Sequence, residues 1–287
     1  METTHPQRYN PTEAARIAEA LSRSPLAPEY ILLFGTLVGG TPHSDVTAYD
    51  LLLVARRADE YAWLHAKRWL NNKLPQRHRE IPYANIYVVT CEEAETLKTP
   101  FMHFALTEGK ELYCNDHASL HRPRKTPNFG AAYRDAKLYY DMFLPLANRF
   151  LEQAQEAMGH HTDDCLRMAA HAAAQATRQY YRVLYYVYHN QEFEVPDLRL
   201  FDERMRTLST ELKLLYEDTH IDHVTTLPRL HEFEEKACTD PRFAVSPCVL
   251  ERDIERVERM REIVEKICIR RLELYREKME NSMLTRP

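Results

Sequence analysis

Apolar residues recur with two different spacings along the 287-residue chain. In the first part they form short continuous runs, such as 30–34 and 51–54, which have the length of buried β-strands. From residue 129 onward they recur every three or four positions over long stretches, which is typical of amphipathic helices. The chain is therefore predicted to combine an α/β first part with a helical second part.

The first part opens with a helix signal. Asn10, Pro11 and Glu13 stand where an N-cap, a first-turn proline and a capping-box acid belong, so a helix is predicted from residue 11 to about residue 23. Further helices are predicted at about 59–73 and 92–108, and strands at 30–34, 51–54, 84–89 and 111–113. This order predicts an α+β domain with a small mixed sheet and helices.

The second part contains helical patterns only. They cover about 129–158, 162–190, 198–217, 228–237 and 247–280. Short connections between long helices favour antiparallel neighbours, so an all-α antiparallel bundle is predicted. The stretch 121–127, rich in proline and basic residues, is typical of a linker. The predicted domains are 1–125 and 126–287.

Charge and composition narrow the choice of partners. The formal net charge is −5, from 38 basic and 43 acidic residues, so no broad positive field attracts nucleic acid or anionic lipid. No apolar run is long enough to span a bilayer, and the opening residues lack the apolar core of a signal peptide. A cytoplasmic location without membrane contact is expected. The six cysteines are scattered, which speaks against a disulfide framework or structural zinc.

Glycine is concentrated at one place. Three of the six glycines, Gly35, Gly39 and Gly40, lie within six residues directly after the first predicted strand. Backbone amides exposed by such a turn can cradle phosphate oxygens, and Thr36 adds a hydroxyl. Asp50 opens the next predicted strand, where a carboxylate can bind a divalent cation. Taken alone, this arrangement fits either a phosphate-binding turn or a plain hairpin turn.

The segment 32–54 resembles the signature of the minimal nucleotidyltransferases, the superfamily that includes kanamycin nucleotidyltransferase and DNA polymerase β. Gly35 and Thr36 match its Gly-Ser, and Asp50 matches the second aspartate of its Asp-x-Asp. The resemblance implies an NTP and Mg²⁺ as cofactors. The position of the first aspartate holds Ala48, and Asp45 is the nearest substitute.

The resemblance implies two sets of site residues. Asp50 and Asp45 would be the catalytic residues and metal ligands, and Gly35, Thr36, Gly39 and Gly40 would bind the phosphates. A third carboxylate is expected on the later strand, but 84–89 offers only Asn85. One strand-borne aspartate binds a divalent cation poorly, so a two-metal site is predicted to be impaired.

The second part resembles a HEPN domain, a helical module often fused to these nucleotidyltransferases. The resemblance rests on the alanine-rich segment 166–184 with its central Gln175, followed by 194–198 before the next helix. Ribonuclease members carry an arginine and a histidine near the start of the last long helix, yet no histidine follows His231. Arg182 and His189 have a comparable spacing on an earlier helix, which is interpreted as coincidence. Ribonuclease activity is therefore not predicted.

Five tyrosines cover most sides of one predicted helix, and some are expected to leave the core and contact the first domain, a second subunit or a ligand. They are Tyr180, Tyr181, Tyr185, Tyr186 and Tyr188. A protein contact is favoured over base stacking on RNA, because nearby positive charge is limited to Arg178 and Arg182. HEPN domains commonly dimerise, so the resemblance implies a homodimer or other homo-oligomer.

Two functions remain open at this point. The first is a degenerate nucleotidyltransferase/HEPN protein, a pseudoenzyme that binds nucleotide phosphate or a protein partner with little or no catalysis. The second is an active metal-dependent nucleotidyltransferase that uses Asp45 and Asp50 to move an NMP from an NTP to a hydroxyl of a small molecule, tRNA or protein. The resemblance implies a toxin–antitoxin or defence setting for some relatives.

Overall fold

The computed structural model describes residues 10–34, 49–59, 61–74, 84–96, 100–116, 118, 128–191, 197–216 and 226–284. The chain divides into two compact units, Met1–Asn128 and Phe129–Pro287. The predicted boundary between residues 125 and 126 lies outside the described residues.

The first unit contains a four-stranded mixed sheet with helices. Its elements are α1 (Pro11–Ser22), β1 (Tyr30–Phe34), β2 (Tyr49–Ala55), α2 (Ala62–Lys73), β3 (Ala84–Thr90), α3 (Cys91–Thr96), α4 (Pro100–Glu108) and β4 (Lys110–Cys114). The predicted α+β fold with a small mixed sheet is confirmed. The predicted helix 92–108 is instead two helices. Pro100 opens the second of them, since a proline is accepted in a first helical turn and disfavours helix in the residue before it.

The strands lie in the order β3-β2-β1-β4, with β1 antiparallel to both neighbours and β2 parallel to β3. Both faces of the sheet are covered. Leu51 and Leu53 of β2 pack with α1 and α2, whereas Leu52 and Val54 pack with α3 and α4. All four side chains are fully buried, and each such burial stabilises the fold by roughly 1.5–3 kcal/mol.

Gly109 connects α4 to β4 where the backbone is crowded. A Cβ atom added there would lie 2.2 Å from the carbonyl oxygen of Ala105, which accepts a hydrogen bond from the Gly109 N–H at 3.1 Å. The next nearest atom is Cβ of Leu32 in the sheet, at 3.3 Å. Glycine is therefore the residue that lets α4 end directly against β1.

The second unit is helical throughout its described residues. Its elements are α5 (Phe129–Met158), α6 (Asp163–His189), α7 (Leu198–Met205), a 3-10 turn (Arg206–Leu208), α8 (Thr210–Leu214), α9 (Thr226–Lys236) and α10 (Pro247–Leu284). The predicted helix 198–217 is interrupted, because the Ser209 hydroxyl accepts from the Leu212 N–H and caps a new helix. No helix in the described part of the chain is long and apolar enough to cross a membrane.

Helices α5 and α6 form a hairpin, and α10 packs against both. The Thr162 hydroxyl accepts from the Cys165 N–H and starts α6. Asn190 ends α6 in the left-handed region at φ 53°, a conformation that asparagine tolerates better than most residues. Its side-chain amide donates to the Ala132 carbonyl at 2.9 Å, which ties the end of α6 to the start of α5.

The core of the second unit contains paired charges. Asp202 is buried, accepts a hydrogen bond from the Tyr181 hydroxyl at 2.8 Å and pairs with Arg206 at 2.8 Å. Asp253 is fully buried and pairs with Arg229 through two bonds of 2.7 Å. Burial raises the pKa of both carboxyls, and the arginines counteract part of that shift. These pairs satisfy groups that would be costly to bury alone.

Candidate functional site

Asp50 lies near the start of β2, at the end of the sheet where β1 stops. It is paired with Phe34 of β1 on one side and with Asn85 of β3 on the other. Side chains alternate along a strand, so Asp50 projects from the same face as Leu52, the face that α3 and α4 cover. Asp50 itself is half-buried. It therefore stands at the margin between the sheet core and solvent.

Asn85 contacts Asp50 directly. Its Nδ2 atom donates a hydrogen bond to Oδ1 of Asp50 at 2.9 Å, and the residue is only 3% exposed. The parallel register of β2 and β3 places the two side chains next to each other. The strand position at which the resemblance implies a third carboxylate is thus occupied by an amide that hydrogen-bonds the aspartate.

An aromatic pair covers the inner side of this position. The rings of Phe34 and Tyr87 lie 5.3 Å apart at 64°, in an edge-to-face arrangement. Their strands flank β2 on opposite sides, so the rings meet across it. Both side chains are buried. The Asp50 carboxylate consequently has an apolar boundary on its core side, which strengthens hydrogen bonds and charge interactions there.

Tyr49 fixes the start of β2 from the opposite face of the sheet. Its hydroxyl donates to Oε2 of Glu13 at 2.8 Å and accepts from the Asn10 N–H at 3.3 Å. Asn10 is the N-cap of α1, as predicted, because its side chain accepts from the N–H groups of Thr12 and Glu13. Glu13 binds a β2 tyrosine in addition to any capping role, so α1 holds the strand that carries Asp50.

The predicted phosphate-binding residues Gly35, Thr36, Gly39 and Gly40 lie outside the described residues, as does Asp45. The residues on either side of positions 35–48, Phe34 and Tyr49, are described. Phe34 has Asp50 as its Cα partner across the β1–β2 pair. The last described residue before the glycine-containing segment thus lies opposite Asp50.

The described donor set does not fit a two-magnesium site. No group of three or more His, Cys, Asp or Glu residues within the described ranges could hold a metal ion. Among the described residues at this end of the sheet, the direct partner of the Asp50 carboxylate is the Asn85 amide. Two-metal sites that clamp both oxygens of a displacement rely on shared carboxylate ligands, so no chemical step is assigned to such ions.

The opposite end of the sheet contains a cysteine that does not qualify as a nucleophile. Burial raises the pKa of the Cys91 thiol, and the nearby Glu29 carboxylate raises it further. Glu29 is 3% exposed and accepts a hydrogen bond from Arg56 at 2.6 Å. Reactive cysteines need a lowered pKa, so these surroundings disfavour the thiolate of Cys91.

His189 in the helical unit is also structural. It is fully buried, and burial lowers its pKa well below the usual value, with a further contribution from the positive charges of Arg204 and Arg271. Its ring lies 4.5 Å from that of Tyr185. A buried neutral histidine cannot reach an RNA backbone, which agrees with the interpretation of the Arg182 and His189 spacing as coincidence.

The five tyrosines of α6 do not form an exposed surface. Tyr180, Tyr181 and Tyr185 are buried. Tyr186 stacks on Tyr139 of α5 with centroids 3.8 Å apart. Tyr180, Tyr181 and Tyr185 thus stay in the core, whereas Tyr186 and Tyr188 are half-buried, and a contact of these two with the first domain, a second subunit or a ligand stays a prediction.

The remaining tyrosine, Tyr188, also has partners within the helical unit. The Tyr188 ring lies 4.4 Å from the guanidinium carbon of Arg271 on α10, and its carbonyl accepts from the Tyr275 hydroxyl at 3.0 Å. The neighbouring helices of the same unit supply the partners, because the alanines of α6 let those helices approach closely.

Comparisons with known proteins give little. No family model matches the chain, and no curated protein matches it. Among solved structures, a spectinomycin adenyltransferase AAD(9) from Enterococcus faecialis, determined with ATP and spectinomycin, is 10% identical, with 87% of this chain and 100% of that chain covered. The TM-score is 0.30. An overlap of that size is too low to assign a fold or a function to this chain.

The sequence pattern revealed Asp50 but not its surroundings. In the sequence, Asn85 is notable only because it stands where a third carboxylate is expected. In the structure, its side-chain amide is the direct hydrogen-bond partner of Asp50. Tyr49 had no recognisable signal, since a tyrosine that opens an apolar strand is usually only a core residue. Its contact with Glu13 joins positions 36 residues apart in the chain. Pairings of that range follow from the fold and not from local spacing.

Proposed function

We propose that the end of the sheet at Asp50, together with the glycine segment 35–40, binds the phosphate groups of a nucleoside triphosphate with little or no nucleotidyl transfer. The observation that carries the proposal is the hydrogen bond from Asn85 Nδ2 to Asp50 Oδ1. It supports a site that keeps the position of a nucleotidyltransferase aspartate but stabilises its charge with an amide. The pairing of Phe34 with Asp50 supports the proximity of the glycine segment.

The reason for weak catalysis is electrostatic. An amide N–H that faces Oδ1 competes with a divalent cation for the same oxygen. Ala48 removes the other carboxylate of the Asp-x-Asp pattern. With one carboxylate, the charge that develops on the leaving pyrophosphate is not neutralised by two ions. Phosphate binding by backbone amides does not need those ions, so binding can outlast catalysis.

The test is calorimetric titration of the full chain with ATP, with and without Mg²⁺, combined with an assay of pyrophosphate release. We expect ATP binding, less than about a tenfold effect of Mg²⁺, and no pyrophosphate. Asp50→Asn should bind ATP as tightly as the wild type or more tightly, because a negative charge near the phosphates is removed. Glu111→Gln, an exposed β4 substitution with the same charge change, is the control. Steady pyrophosphate release by the wild type would refute the proposal.

The second candidate is an active metal-dependent transferase that moves an NMP from an NTP to a hydroxyl of a small molecule, tRNA or protein. It would use Asp50 and Asp45, with Thr36 near the phosphates. The half-buried Asp50 beside the ends of the glycine segment favours it. Transfer of label from ATP that Asp50→Asn abolishes and Glu111→Gln preserves would select this function. Equal transfer in all three proteins would exclude it.

We also propose that the helical unit, HEPN-like in its sequence, associates with a second copy of the chain. Leu138, Met142 and Leu146 of α5 are 61%, 59% and 40% exposed. They recur every fourth residue and so share one side of the helix. Sedimentation of the wild type should show a dimer that Met142→Glu dissociates, with Glu152→Lys on the same helix as control. A monomeric wild type would rule out this role.

A further inference from the structure

A cavity lies at the end of the sheet that is far from Asp50. It has a volume of about 680 Å³ and is lined by the turn after α1, the residues that follow β2, and α2. Asp50 is near the first residue of β2 and Arg57 lies beyond its last. At about 3.3 Å per strand residue, seven residues separate the two positions by roughly 20 Å. The cavity is therefore distinct from the proposed phosphate site, and its size is that of a small-ligand pocket.

Two arginines lie on the rim of this cavity. Arg57 and Arg68 line it and are exposed, and neither has an ion pair with another described residue. The only acidic group among the described lining residues is Asp59. Its Oδ1 accepts from the Tyr61 N–H at 3.0 Å, where it orders the start of α2. The neighbouring Arg56 differs, because it pairs with Glu29.

A flat apolar surface completes one wall. Trp69 is half-buried, and its Nε1 atom donates to the Ala20 carbonyl at 2.9 Å, which fixes the ring and uses its only donor. The small side chains of Ala62 and Ala66 line the same side of α2. Lys73 Nζ lies 4.8 Å from the centroid of this ring and covers one of its two faces, so a planar group can stack only on the other face.

One buried polar group in the cavity wall has no hydrogen-bond partner among the described residues. It is the hydroxyl of Ser24, a residue that lines the cavity and is 5% exposed. The hydroxyl oxygen itself is enclosed, so the groups that face a ligand are the exposed arginines of the rim, which indicate a ligand that carries oxygen acceptors.

We propose that this cavity binds a small organic anion in which a phosphate or carboxylate group is attached to a flat apolar ring. The forked guanidinium groups of Arg57 and Arg68 match the geometry of such oxyanions. The ring of the ligand lies against Trp69. A free inorganic anion lacks the ring and binds more weakly.

The proposal is tested by calorimetric titration of the full chain with phenyl phosphate, benzoate, inorganic phosphate and neutral benzyl alcohol. Phenyl phosphate or benzoate should bind at least about tenfold more tightly than the other two. The double variant Arg57→Ala/Arg68→Ala should weaken that binding at least about tenfold, and Trp69→Leu should remove the preference over inorganic phosphate. Preference for phenyl phosphate identifies a phosphate ligand, and preference for benzoate a carboxylate.

The matched control is Arg16→Ala, which removes an exposed arginine from α1 outside the cavity. It should bind like the wild type, as should Asp50→Asn, because the two sites are separate. Melting temperatures confirm that each variant is folded. The proposal is overturned if neither aromatic anion binds the wild type, if benzyl alcohol binds as tightly, or if Arg16→Ala and the double variant lose affinity equally.

Discussion

The two units of the chain place their polar groups in opposite ways. In the sheet unit the two cores are apolar, and polar pairs such as Asp50 with Asn85 and Glu29 with Arg56 stand at the ends of the strands. In the helical unit charged residues lie inside the core, and Asp202 and Asp253 pair there with Arg206 and Arg229.

This difference is one of exposure. Asp50 at the start of β2 is half-buried, whereas Asp202 and Asp253 are enclosed and satisfied by their protein partners. Enclosed pairs contribute little net free energy, but a misaligned helix would leave them unpaired. The two kinds of pair should therefore respond differently to substitution.

The largest effect is expected from breaking an enclosed pair. Asp253→Ala removes the carboxylate that pairs with Arg229, whose side chain is only 22% exposed. The same substitution removes the carboxylate that lies 3.6 Å from Arg256. The free energy of unfolding should fall by roughly 3–5 kcal/mol, measured by urea denaturation. Glu211→Ala, which breaks an exposed pair with Lys266, should cost under about 1 kcal/mol. Equal losses would show that enclosure does not matter.

The apolar sheet core should respond to volume instead. Leu52 is fully buried at the centre of the sheet, so Leu52→Ala should destabilise the chain by roughly 2–5 kcal/mol through lost burial and a cavity. Leu52→Met keeps the volume and should cost less than about 1.5 kcal/mol. Denaturant midpoints of the two variants measure the contrast. A methionine variant as unstable as the alanine variant would mean that shape, and not volume, dominates there.

A substitution in the Asp50–Asn85 pair tests whether a second carboxylate creates a cation site at the cost of stability. Asn85→Asp replaces the donor to Asp50 by a second carboxylate, so stability without metal should fall by roughly 1–3 kcal/mol. Mg²⁺ should restore much of this loss, because two adjacent carboxylates can share a cation. Thermal melts with and without Mg²⁺ measure the effect. Wild type and Asn85→Ala are the controls, and an equal Mg²⁺ shift in all three proteins contradicts the prediction.

The smallest effect concerns pH. Burial depresses the pKa of His189 in the folded chain, whereas the unfolded value is about 6.5. Above that pH neither state binds the proton. As the pH falls below this value, the unfolded chain is protonated first, so the free energy of unfolding decreases. The unfolding equilibrium constant rises by at most about tenfold for each pH unit.

His189→Gln removes this titration, and its unfolding free energy should depend less on pH between 7.5 and about 5. Urea denaturation at several pH values provides the measurement. His160→Gln changes an exposed histidine and should keep the slope of the wild type. If the unfolding free energies of wild type and His189→Gln depend equally on pH, the folded chain accepts a proton on His189 as readily as the unfolded chain does, which contradicts the prediction.

The sequence predicts the elements well because their signals are local. The predicted helix 129–158 coincides with α5, and the predicted strand 30–34 with β1. Errors occur where a local signal was overlooked, as at Ser209, whose hydroxyl caps α8. The burial of Tyr180, Tyr181 and Tyr185 could not be predicted for another reason. Helical periodicity shows which sides carry aromatic groups but not that α5, α7 and α10 cover several sides at once.

The candidate site was less accessible to sequence reasoning. Asp50 could be located because an apolar strand follows it directly. Its pairing with Asn85 depends on the parallel register of β2 and β3, which long-range packing sets. The cavity at Trp69 has no sequence signature either, since it forms where the turn after α1 faces α2.

The antiparallel pairing of Phe34 with Asp50 has an engineering consequence. Opposed residues in such a pair keep their Cα atoms about 5 Å apart, whatever length of chain joins them. Closure entropy grows only slowly with chain length. A change in the number of residues between these two paired positions should therefore cost the sheet little in closure entropy, by about 0.6 kcal/mol for each doubling of length.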